Sequence, residues 1–255
     1  MHDLRSGMIH TWKIIKMCPW IPLNQLRKVF LLVPIVICAK PRFNLQIEPP
    51  PPLRNAAEID AAFREHEVIP DLLSKAPKYT LEVAFHREYY VDFGNYIVPA
   101  AWEQKPTKIH FAEAKKGSMY VLIMTGLDFP TRERPRGREW WYWVFGDLVG
   151  GPGLGRKGKT VMAYIGPSEM KIYSGMHRIV FLLMEQLDGR VLYKGKHLMT
   201  VPRKKIRSCH NTTAFMEKYN LTGPVAGNFF TSGYNYPRRL TPAPRAASSV
   251  LADYI

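Results

Sequence analysis

Acidic residues are scarce in this chain, and none falls between positions 4 and 47. Cysteine is scarcer still: Cys18, Cys38 and Cys209 are the only three. They form no CxxC or Cys/His spacing of a zinc site. Two of them lie near the N-terminus, so removal of that segment would leave Cys209 alone and exclude an internal disulfide framework. The N-terminal apolar run, Val29–Ala39, is eleven residues long and contains Pro34, too short for a membrane-spanning helix. Neither a G-x-S-x-G elbow nor an H-E-x-x-H helix is present. No paired carboxylates mark out an acid and a base. These absences point away from an enzyme and from any cofactor or bound metal.

What is abundant is apolar and basic. The chain has 255 residues, 46% of them hydrophobic and 12% aromatic, enough for a sizeable core. Its formal charge is +15. The Lys and Arg residues are spread, with denser clusters at Arg132–Arg138 and Arg203–Arg207. That spread suits a basic soluble protein, with contact to an anionic membrane surface open and nucleic acid not expected.

Residues 1–39 combine a basic stretch, Arg27-Lys28, with the apolar run and a small residue, Ala39. This is the pattern of a secretory signal, and the lack of acid also suits mitochondrial import. Two glycosylation sequons, at Asn211 and Asn220, fit the secretory route. Residues 40–56 form a Pro-rich linker with the stiff run Pro49–Pro52. A folded domain is expected over 57–237 and a loose basic tail over 238–255.

Within the domain, Ile59, Ala62, Phe63 and Val68 recur at helical spacing, and Pro70 ends or kinks that segment. Strands are expected at Thr80–Phe85, Lys108–Phe111, Met119–Thr125, Trp140–Leu148, Val161–Ile165 and Val180–Met184 from their β-branched and aromatic content. Thr212–Tyr219 reads as a short helix capped by Asn211 or Thr212. The segment Gly153–Thr160 satisfies G-x-x-x-x-G-K-T, the phosphate-loop pattern. A phosphate loop needs a helix after it, and Thr160–Ile165 is strand-like and stopped by Gly166-Pro167. A basic hairpin loop is the expected reading, with a nucleotide-binding protein as the remote alternative.

Four ordered blocks carry a family resemblance. They are Gly126-Leu-Asp128-Phe-Pro130-Thr-Arg132, Arg138-Glu-Trp-Trp-Tyr142-Trp143, Gly175-Met-His177-Arg178-Ile-Val-Phe181 with Glu185-Gln186, and Phe215–Phe230. They resemble the phosphatidylethanolamine-binding protein family, which includes kinase-inhibitory members. The resemblance implies a mainly β fold, with a large antiparallel sheet packed on a second, smaller sheet and peripheral helices. It also implies a pocket for phosphate or a phospholipid head group, lined by two aspartates, two histidines, a proline and a C-terminal tyrosine. Asp128, Pro130 and His177 match that set, and Tyr236 corresponds to the tyrosine. Gly126 stands in place of the first aspartate and Tyr142 in place of the first histidine, and the loop before His177 has lost its double proline. The expected ligand site is therefore Asp128, Pro130, Tyr142, His177 and Tyr236, with Tyr142 at its mouth. With a carboxylate and an imidazole gone, it is less acidic and more aromatic.

The function implied is non-enzymatic: binding of a lipid head group, a phosphate-like anion or a small apolar ligand, or regulation of a protein partner, outside the cell. The alternative is a structural domain of the same family, such as a component of the mitochondrial large ribosomal subunit. Asp128 as a turn cap, His177 as a structural histidine and the tryptophans as core are the competing roles for these residues.

Overall fold

The computed structural model describes residues 49–155, 157–167, 175–195, 200–202 and 206–234. Helix α1 (Ala56–Glu65) begins where Asn55 supplies a reciprocal cap. The Asn55 side chain accepts from the Ala57 and Glu58 N–H groups, and the Glu58 carboxylate accepts from the Asn55 N–H. The helix buries Ile59, Ala62 and Phe63. The short helix α2 (Val68–Asp71) is broken at Ile69, whose φ of −105° and ψ of 122° are the extended values expected before Pro70.

Among the described residues ten strands follow: β1 (Tyr79–Thr80), β2 (Glu82–Phe85), β3 (Tyr89–Tyr90), β4 (Lys108–His110), β5 (Met119–Gly126), β6 (Trp140–Gly151), β7 (Gly153–Leu154), β8 (Lys159–Met162), β9 (His177–Gln186) and β10 (Leu221–Ser232). A 3-10 turn at Pro99–Trp102 precedes β4, and helix α3 (Thr212–Lys218) precedes β10. The large sheet runs β1-β10-β9-β5-β6-β7, with β8 also on β6, and the small sheet runs β3-β2-β4. All pairs are antiparallel except β1 with β10, which makes the large sheet mixed at that edge.

Alternation along the strands builds two cores. Val121, Ile123, Val180, Leu182 and Phe229 face the helices on one side of the large sheet. Tyr120, Leu122, Met124, Phe181 and Phe230 share the other core with Leu81 and with Val83 and Phe85 of the small sheet. The expected layering of a large sheet on a smaller one with peripheral helices is therefore present.

The phosphate-loop pattern is absorbed by this sheet. Gly153 lies in β7 and Lys159-Thr160 in β8, so a strand stands where the phosphate-binding helix would have to begin. The basic clusters are partly internal. Arg132 pairs with Glu67 at 2.7 Å and Arg138 with Asp71 at 2.9 Å. Arg207 is fully buried and donates to the carbonyls of Trp141, Tyr142 and Ala163 at 2.6–3.1 Å. Burial pulls its pKa down to about 10. It ties β6 to the segment after β8, so part of the positive charge is structural and unavailable to a polyanion.

Candidate functional site

Strand order brings three of the four sequence blocks to one end of the large sheet. Gly126 ends β5 opposite both Trp140, the first residue of β6, and Ile179 near the start of β9. Ser232, the last residue of β10, pairs with His177. Asp128 and Pro130 lie just beyond β5. The structure thus gathers Asp128, Pro130, Tyr142 and His177 at this sheet end. Tyr236 and the loop 168–174 lie outside the described residues.

Asp128 is fully buried and its carboxylate is committed. Oδ2 accepts from the Arg178 backbone N–H at 2.8 Å and from Nε at 2.9 Å, and Oδ1 accepts from Nη2 at 2.6 Å. Arg178 also donates through Nη1 to the carbonyls of His66 and Glu67 and through Nη2 to Asp71 at 2.7 Å. Asp71 is therefore a second carboxylate brought in by the fold, which no sequence spacing announced. Despite the opposing effect of burial, hydrogen bonds from Arg178 and Arg138 hold the Asp71 carboxyl below its usual value. With both carboxylates held by arginines, the pair is a clamp between α2, β5 and β9 and offers no acid and base of separated pKa.

Tyr142 is not at a pocket mouth: only 2% of it is exposed. Its ring packs edge-on against Trp102, with centroids 5.2 Å apart. A Cβ built on Gly126 would come within 2.8 Å of Tyr142 Cε2. The two departures from the family pattern are therefore physically complementary. Loss of the side chain at 126 makes the room that the larger ring at 142 fills.

The wall around Tyr142 is aromatic. Trp102 is fully buried, and its Nε1–H donates to Ser232 Oγ at 2.9 Å. Tyr164 Oη donates to the Trp102 carbonyl at 2.5 Å, and burial raises the Tyr164 pKa strongly. Phe129 stacks on Trp140 at 4.0 Å beside Pro130, which is half-buried. His177 is 3% exposed. Tyr234 packs against the same aromatic cluster. Burial first, then Glu103, pushes its hydroxyl pKa up to about 12.

Glu139 is a half-buried group that sequence reasoning passed over. It accepts from the Thr212 N–H at 2.8 Å, from Thr212 Oγ1, and from Trp141 Nε1 at 3.1 Å. Burial nevertheless raises its pKa. It anchors the start of α3, whose N-cap is Asn211. Among the described residues, no cluster of His, Cys, Asp and Glu is arranged to hold a metal ion.

The family model described as phosphatidylethanolamine-binding protein matches residues 61–230. The chain belongs to this family. A Drosophila melanogaster relative, provisionally named odorant-binding protein A5, is 29% identical over 71% of this chain and 83% of its own length. The 26 kDa secreted antigen of Toxocara canis is 31% identical over 65% of this chain and 60% of its own. The solved phosphatidylethanolamine-binding protein from Plasmodium vivax has a TM-score of 0.56 and 24% identity, covering 68% of this chain and 96% of that one. That likeness establishes the family fold. Within it, Asp128 and Pro130 follow β5, His177 opens β9, and the Tyr142 ring fills the space above Gly126.

Proposed function

We propose that this family member is a secreted, non-catalytic binding or regulatory protein in which the phosphate mode of the pocket has been given up. The observation that carries the reading is the buried Tyr142 ring packed over Gly126. A phosphate site needs convergent donors and room for a dianion. Here the space above Gly126 is taken by an aromatic edge, and Asp128 is consumed by Arg178. Neutral or apolar ligands, or a protein partner, suit such a wall better than a head group. The family match and a relative named as a binding protein support a non-enzymatic role.

The test is calorimetric titration of the full chain with phosphoethanolamine. Binding should be weak, in the millimolar range or beyond, about 4 kcal/mol or less. Tight binding that survives His177→Ala would show that the ligand site lies elsewhere.

Secretion rests on the N-terminal pattern and the two sequons. Asn211 and Asn220 are both exposed, as a glycan requires. Asn220 Nδ2 donates to Asp188 at 2.9 Å, a surface bond that attachment would replace. Expression of the full chain in secreting cells should give a glycosidase-sensitive form in the medium that lacks residues 1–39. Cosedimentation with mitochondrial ribosomes, and no secreted form, would favour a structural family member instead.

A further inference from the structure

A groove of about 560 Å³ lies between β4 with the segment leading into it and the β6–β7 turn. This size suits a small molecule. Trp143, Phe145, Leu148 and Leu154 supply its apolar lining, and Lys105, Lys108 and His110 its basic side. None of the residues expected to bind the family ligand takes part.

The charges in the groove are unequal. Lys108 is held by Glu82 at 2.5 Å, and His110 Nε2 is 3.7 Å from the same carboxylate. Lys105 forms no ion pair with the described carboxylates; its Nζ lies 5.7 Å from the centroid of the Trp143 ring. Trp143 is 5% exposed, and its indole N–H has no hydrogen-bond partner among the described residues. Gly153, the first glycine of the phosphate-loop pattern, has a φ of +84°, and His110 Nδ1 sits 2.3 Å from where its Cβ would be. That glycine lets the imidazole close one side of the groove, and this gives the sequence pattern a role unrelated to nucleotides.

We propose that this groove is a second binding site, for an amphipathic monoanion such as an aliphatic carboxylate. The acyl chain lies along Trp143, Phe145, Leu148 and Leu154, and the carboxylate pairs with Lys105. Among the described lining residues one cation is left unneutralised, and it selects one negative charge. Glu82, close behind Lys108 and His110, repels a phosphate dianion.

Decanoate is the probe, titrated into the full chain with calorimetry and tryptophan fluorescence as readouts. Saturable one-to-one binding is expected. Lys105→Glu, an exposed position that leaves the core intact, weakens it roughly tenfold or more through charge reversal. Leu154→Asp weakens it as well. Decyltrimethylammonium, with the same chain and the opposite charge, binds less tightly than decanoate. Failure to saturate, as when the chain's own segments fill the groove, overturns the proposal. So does equal affinity in Lys105→Glu, or equal binding of the cationic probe. Displacement of decanoate by phosphoethanolamine would assign the binding to the Tyr142 end of the sheet and equally overturn it. The phosphoethanolamine titration reads the first site independently, so either reading can fail alone.

Discussion

Asp128→Ala should lower the stability of the domain by about 3–5 kcal/mol, the usual cost of leaving one partner of a buried ion pair uncompensated. The reason is the position of Arg178, which is 1% exposed and keeps three donors on Asp128. Asp71 and two carbonyls remain to it after the substitution, but they cannot replace the contacts to the backbone N–H and Nε. For a domain of this size the melting temperature should fall by about 6–20 °C. Urea unfolding should show a lower midpoint at an unchanged slope, the mark of altered stability rather than an altered denatured state. A midpoint equal to that of the parent would mean that Asp128 is not engaged by Arg178. Acid should act on the same clamp. Because the Asp71 carboxyl is held below its ordinary value, its contribution is complete above the unfolded-state pKa and is lost as the pH falls through the folded one.

This clamp also marks the boundary of what sequence alone could say. Asp128 was legible as a family position, with pocket ligand and turn cap both open as roles. Its actual partner was not, because Arg178 lies 50 residues away and Asp71 lies 107 residues from Arg178. Local periodicity carries no record of such pairings. Strands β5 and β9 were legible because their β-branched and aromatic residues alternate between two cores. Strand β10 was recognised only as a motif. Gly223, Pro224 and Gly227 interrupt its periodicity, and the ladder with β9, with its irregularity between Thr222 and Ala226, overrides local preference. The strand expected at Val161–Ile165 begins two residues earlier and stops at Met162, beyond which Ile165 still donates to the Tyr142 carbonyl. The groove beside Trp143 had no sequence signal at all, since its lining comes from three separated segments.

The exchange at positions 126 and 142 was legible as two separate losses, and the structure makes them one event. Gly126→Asp in the parent chain should therefore be poorly tolerated. Its Cβ meets Tyr142 Cε2 at 2.8 Å inside a sealed aromatic wall, and overpacking of this kind costs about 1–3 kcal/mol before the carboxylate is counted. Tyr142→His alone removes the phenol ring and leaves a void beside Trp102, a smaller loss of large-to-small type. Combined, the substitutions should cost less than their sum, with a coupling of about 0.5–3 kcal/mol as expected for residues in direct contact. The same pair restores an aspartate and an imidazole at the sheet end that holds His177, so phosphoethanolamine binding should strengthen at least tenfold over the parent, about 1.4 kcal/mol. Denaturation of the four proteins of this cycle and titration of the parent and the double variant decide the matter. Strictly additive stabilities would show that the Tyr142 ring does not occupy the space above Gly126. A stable double variant with no gain in phosphoethanolamine affinity would show that the loss of the phosphate mode has another cause.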